Sequence, residues 1–157
     1  VTVVATACLL AACSSNSKTG HVEGSFLKVA NAACMRALQL VAPQPFPYPK
    51  FDPATATPDQ LRAVGTYLDT DQFSHKELAI AQTAGTPHHG TQTWQHFLDL
   101  IAQQQALVEK QITAGKAADR TAFQATVADI KTLATQIDTA ASDVGFAKTA
   151  YCVQLYG

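Results

Sequence analysis

The sequence predicts an all-α protein, an antiparallel bundle of about four helices closed by a short C-terminal helix. Two observations point there. Residues 94–112, with one polar member, and 123–144, without exception, repeat apolar side chains at alternating steps of four and three, the period of helices packed close to antiparallel. No stretch alternates apolar and polar residues as a half-buried strand would.

The first helix is expected from about Phe26 to Val41, with Ser25 as its cap. Leu27, Cys34, Leu38 and Val41 share one face, with Ala30 and Ala33 beside it. The stretch Pro43-Gln44-Pro45-Phe46-Pro47-Tyr48-Pro49 ends it, because proline cannot continue the hydrogen-bond ladder. Thr57-Pro58-Asp59-Gln60 starts a second helix: Thr caps, Pro takes the first helical position, and Gln reaches back in a capping box. Leu61, Val64 and Leu68 follow at helical spacing, and Ser74-x-x-Glu77 offers a second capping box. One kinked helix to about Ala84 and two short ones both fit. Gly85 to Gly90 is the next break.

Thr91 or Thr93 opens the third helix, whose seam is Trp94, Leu98, Ile101, Gln105, Val108 and Ile112. Gly115 and the Lys-Ala-Ala after it end that helix. Asp119 caps the fourth, whose seam is Phe123, Val127, Ile130, Ala134, Ile137, Ala141 and Val144. The short connection makes these two arms an antiparallel hairpin. Gly145 closes the fourth helix as a left-handed cap, and residues 147–156 add the short final one.

Composition sets the class. The 157 residues carry a net charge of −1, and 47% are apolar. That length supports one domain. The balanced charge excludes the basic stripe a nucleic-acid binder needs, and the apolar fraction excludes wholesale disorder. Beyond the N-terminus no run of about 20 apolar residues offers a membrane span.

Residues 1–12, VTVVATACLLAA, are apolar or small and uncharged, as in the core of a secretory signal that is cleaved away. Leu10-Ala11-Ala12-Cys13 resembles the bacterial lipobox. The resemblance implies cleavage before Cys13 and lipid on its thiol, which places the chain on the extracytoplasmic face of the cell membrane with the membrane as its partner. Two or more acyl chains hold a protein there stably. Cys8, with Ala5 three residues before it, reads as a passenger in the removed segment. Residues 13–24, rich in Ser, Asn and Gly, read as a flexible tether, leaving 25–157 as the folded body.

With Cys13 lipidated, Cys34 and Cys152 remain in an oxidising space. A disulfide between them staples the first helix to the last. Two separate buried thiols and a metal pair are the alternatives. The arrangement resembles a loose group of small exported actinobacterial lipoproteins. These share a lipobox, a Cys in the first helix, a Pro-rich link, a long helical hairpin, and a Gly-apolar pair shortly before a C-terminal Cys. Here those are Leu10 to Cys13, Cys34, Pro43 to Pro53, Trp94 to Val144, and Gly145-Phe146 with Cys152. The resemblance implies placement and fold, and no activity.

Chemistry is sparse. His88 and His89 fall in a loop, with His96 a turn or two beyond. Together they form the candidate set for Zn²⁺ or Cu²⁺, and His75 or His96 for haem. A solvated polar loop is the plainer reading. Glu-x-x-His pairs, Cys-x-x-Cys-His, a nucleophile elbow and a Gly-rich phosphate loop are all missing. Asp99, Asp129 and Asp138 sit on polar helix faces. The expectation is therefore a non-enzymatic binding or interaction module without a cofactor, its protein or small-ligand partner unnamed. A metal or haem carrier using His88, His89 and His96 is the alternative. Phe46, Tyr48 and Phe51 in the Pro-rich stretch are a candidate partner surface, since a polyproline II segment is already extended. They fit equally a strap that folds its aromatics back over the bundle.

Overall fold

The long hairpin is the frame on which everything else is hung. In the computed structural model, which describes residues 20–40, 45–70 and 79–156, helix α1 spans Gly24–Leu40 and α2 spans Pro58–Thr70. The two arms of the hairpin are α3, Thr91–Ala117, and α4, Arg120–Val144, and the short α5 is Tyr151–Tyr156. Residues 79–82 are also helical, and no strand occurs among the described residues. The fold is all-α and bundle-like, with α3 and α4 packed together along their lengths. The signal segment, Cys13 and most of the tether lie outside the described residues. So do Val41, Pro43, Gln44, His75 and the Ser74–Glu77 box, and with them the question of whether the second helix is continuous.

The local start and stop signals act as the sequence implies. Thr57 N–H donates to Gln60 Oε1 at 2.8 Å, and Gln60 N–H donates to Thr57 Oγ1 at 3.3 Å, a reciprocal capping box. Asp119 Oδ1 accepts from Ala122 N–H at 3.0 Å and caps α4. Ser25, by contrast, lies inside the first turn of α1, which begins at Gly24. Both long helices end in the same motif. Gly145 N–H donates to Ser142 O and Phe146 N–H to Ala141 O, each at 3.0 Å. At the end of α3, Ala118 N–H donates to Gly115 O and Asp119 N–H to Ala114 O, each at 2.9 Å. The residue in the left-handed position is Gly145 in one case (φ 105°) and Ala118 in the other (φ 58°).

Gly115 is therefore not the stop. It lies within α3, where α2 crosses. A Cβ on Gly65 would sit 2.6 Å from Lys116 N, and one on Gly115 would sit 2.8 Å from Gly65 Cα. Two bare backbones meet at this point, and Lys116 Nζ closes on Asp69 Oδ2 at 2.6 Å beside it.

Two apolar cores result, one at each end of the hairpin. At the open end, Val22, Phe26, Ala30 and Cys34 of the N-terminal segment meet Trp94, Phe97, Ile101, Ile137, Val144, Phe146 and Cys152. The Phe26 ring stands edge-on to Trp94, with centroids 5.0 Å apart. The buried face of α1 thus includes Phe26, while Leu27 only flanks it. At the turn end, Leu61 and Val64 of α2 pack with Ala56, Ala114 and Phe123. Between them, no residue from 102 to 111 is buried, and the expected seam members Gln105 and Val108 are only half covered.

On α4 the buried stripe is Phe123, Thr126, Leu133, Ile137, Ala140, Ala141 and Val144. Val127, expected on the seam, is 36% exposed. Thr126 takes its place because its hydroxyl donates to Phe123 O at 2.6 Å, which satisfies its one polar group inside the apolar stripe.

Cys34 and Cys152 form the disulfide, with Cα atoms 5.0 Å apart and both side chains fully buried. Asn31 Oδ1 on α1 accepts from Tyr151 N–H, the first residue of α5, at 2.6 Å. α5 is thus held by a covalent bond and a cap, both supplied by α1.

Candidate functional site

The histidine loop is used through its backbone. His88 N–H and His89 N–H donate to the two carboxylate oxygens of Glu23, at 2.8 and 3.0 Å. These two amides hold the Glu23 carboxyl below its ordinary value, and the nearby His88 ring adds a smaller pull in the same direction. The neighbouring residues are fastened too. Gly20 N–H donates to Thr93 Oγ1 at 3.2 Å, His21 Nδ1 lies 2.8 Å from Asp143 O, and Val22 N–H donates to Val144 O at 3.0 Å. Val22 is 4% exposed. Residues 20–23, read from sequence as the end of a flexible tether, are docked on the open end of the hairpin. A Cβ on Gly90 would lie 2.7 Å from Gly20 O, so glycine is what lets the two segments approach.

Among the described residues no three His, Cys, Asp or Glu side chains lie close enough to hold a metal ion. His88, His89 and His96 are not brought together as a three-ligand set. His96 faces a different place, a groove between the two arms of the hairpin.

The aromatic strap folds back. Phe51 packs edge-on against Phe123 at 5.7 Å, and Phe46 lies between Phe51 and Tyr67 at 6.0 and 5.3 Å. Tyr48 and Phe51 flank the turn-end core, and Phe46 keeps 38% of its surface exposed. Arg120 Nη2 donates to Ala56 O at 2.6 Å and ties the strap to the hairpin turn. Of the candidate partner surface, two members serve the core and one remains at the surface.

The groove was not singled out by sequence. One hollow of about 810 Å³ is lined by His96 and Leu100 of α3 and by Lys131, Thr132, Thr135, Gln136, Thr139, Ala140 and Asp143 of α4. Toward the open end it continues into a hollow of about 490 Å³ bounded by Gly20, His21, Thr93, His96 and Asp143. Toward the turn it continues into one of about 400 Å³ bounded by Gln103, Leu107, Lys110, Asp129 and Gln136. The floor is apolar, because Leu100 and Leu133 are nearly buried. The α4 wall presents threonines whose hydroxyls are already spent. Thr132, Thr135 and Thr139 donate to the carbonyls four residues back at 3.1, 3.4 and 3.0 Å. Those three threonines therefore show methyl groups and oxygen lone pairs, and the N–H donors of that wall are Lys131 and Gln136.

A sequence signal existed for this face. Leu100 and Leu107 fall off the seam expected for α3, on the stripe His96, Leu100, Gln103, Leu107, Lys110. A second stripe at steps of four and three marks a second face. No family model, curated protein or solved structure matches the chain.

Proposed function

We propose that the chain is a lipoprotein of the bacterial cell envelope, held on the extracytoplasmic face of the membrane through lipid on Cys13, and that it works as a non-enzymatic interaction module. The observation that carries the interaction role is the groove between α3 and α4, an open channel whose walls are two helices. A long open channel of this kind suits the face of another folded element better than a small molecule, which binds where most of its surface is enclosed. Placement rests on Leu10-Ala11-Ala12-Cys13 and is supported by the disulfide, a bond that persists in oxidising compartments. Gly20 is docked, and the seven residue steps from Cys13 to it can span at most about 25 Å. The open end of the hairpin is then the end nearest the membrane.

Two measurements test this reading. Mass spectrometry of the N-terminal peptide from native membranes is expected to find a diacylglycerol thioether on Cys13; an unmodified, unprocessed N-terminus overturns the anchoring. A photo-crosslinker placed at Gln136, inside the groove, is expected to give one discrete adduct in the intact envelope. The same probe at Arg62 on α2, which lines none of these hollows, is expected to give none. Equal labelling from both positions overturns the groove as the contact face.

A further inference from the structure

We infer that the partner for this face is a second copy of the same chain, forming a dimer whose two-fold axis runs parallel to the hairpin, with α3 of each copy lying on α4 of the other. The inference rests on the interaction role proposed above and names its partner.

Charged side chains sit in register along the two arms. The hairpin is symmetric about its turn at Ala118–Asp119, so residues of the two arms meet at matching levels. His96 lies level with Asp143 at the open end, Gln103 with Gln136 in the middle, and Lys110 with Asp129 toward the turn. All six side chains are exposed. Lys110 and Asp129 flank one hollow, yet no ion pair among the described residues joins them within a copy. Rotating a second copy about an axis along the groove sets α3 against the partner's α4 at the same level. The Lys110 ammonium then faces the partner's Asp129, His96 faces the partner's Asp143, and Gln103 faces the partner's Gln136. The other two-fold arrangement, with the axis across the hairpin, sets α4 on α4 and brings Asp129 against the partner's Asp143. It also brings Lys110 against the partner's His96. The Lys110–Asp129 pairing therefore favours the first arrangement and the Asp129–Asp143 apposition opposes the second, while Lys131, the other lysine of the α4 wall, takes no part in either.

Chain length acts in the same direction. An axis along the hairpin places both Gly20 residues at the same end of the dimer. Two anchors of seven residues then reach one membrane with both hairpins upright. An axis across the hairpin separates those ends by roughly the 40 Å length of α3. The shape agrees: small side chains, Ala106, Thr132, Thr135 and Ala140, line the hollows, where a facing helix can seat its longer ones. The result is a four-helix bundle at the centre of the dimer, each helix antiparallel to its neighbours.

The test uses the chain from residue 13 onward, carrying Cys13→Ser so that every docked residue is kept. Sedimentation equilibrium is expected to show a reversible monomer–dimer equilibrium in the micromolar range. Lys110→Asp is expected to weaken association about tenfold, because a two-fold axis counts each substitution twice. Adding Asp129→Lys to the same chain is expected to restore it to within about threefold. Geometry is read by mixing Gln103→Cys chains with Gln136→Cys chains under mild oxidation, which is expected to yield the mixed crosslinked dimer. A monomer at every concentration overturns the inference, and so does a charge swap that restores nothing or a Gln103→Cys chain that crosslinks to itself. A monomer whose Gln136 probe still labels a different protein in the envelope overturns the dimer alone and leaves the interaction module standing.

Discussion

A methyl group would not fit where α2 and α3 cross. At Gly115 it would lie 2.8 Å from the Gly65 Cα, and neither backbone has a rotamer with which to yield. Gly115→Ala and Gly65→Ala are each expected to cost about 3 kcal/mol in chemical denaturation, the overpacking penalty outweighing the gain of about 1 kcal/mol in helix propensity. Gly24→Ala, where nothing lies within 4 Å, is the matched control, and a change within about 1 kcal/mol of zero is expected there. Glu23 governs a second residue-scale effect. Its carboxyl is held below the ordinary value of 4.5 by the His88 and His89 amides. A lowered acid contributes stability that is fully present above 4.5 and is lost as the pH falls through the folded-state value. Protection of the His88 and His89 amides against hydrogen exchange is therefore expected to be flat near neutrality and to fall in acid. Glu23→Gln is expected to weaken the protection at neutral pH and to remove its dependence on acid. None of these residues was legible as a contact. Gly65 and Gly115 look like ordinary helix weaknesses in sequence, and Glu23 meets a loop 65 residues away.

At the scale of elements, what could be read was what is settled within a few residues. The Thr57–Gln60 box, the Asp119 cap and the Gly145 stop each depend on neighbours in the chain, so local chemistry was enough. The end of α3 shows the limit. Glycine is the usual left-handed residue, and Gly115 was the nearest one. The crossing with α2 claims that glycine for the helix, and Ala118 is left in the left-handed position at φ 58°. An alanine there strains against its own carbonyl. Ala118→Gly is expected to stabilise the protein by about 0.5–1 kcal/mol in thermal or chemical unfolding, the relief exceeding the added freedom of the unfolded chain. The α4 stripe was ambiguous for a related reason. Thr126 and Val127 both fit a period near seven, and the choice turned on whether a hydroxyl finds its own carbonyl, which hydrophobicity alone does not report.

Among the described residues the apolar interior falls into two cores, and the open-end core holds the disulfide. Closing a span of 118 residues removes unfolded-state freedom worth about 5 kcal/mol in the chain-entropy account. Reduction, or Cys34→Ser with Cys152→Ser, is expected to loosen the open end first. Hydrogen exchange should rise in α5 and α1 while the α2–α3 crossing stays protected. The same cross-link has a consequence for any protease that reaches this domain. A single cut anywhere between positions 34 and 152 severs the backbone yet frees no fragment, because the two pieces stay tied through sulfur. A nicked sample is expected to run as one band on a non-reducing gel and as two once dithiothreitol is added.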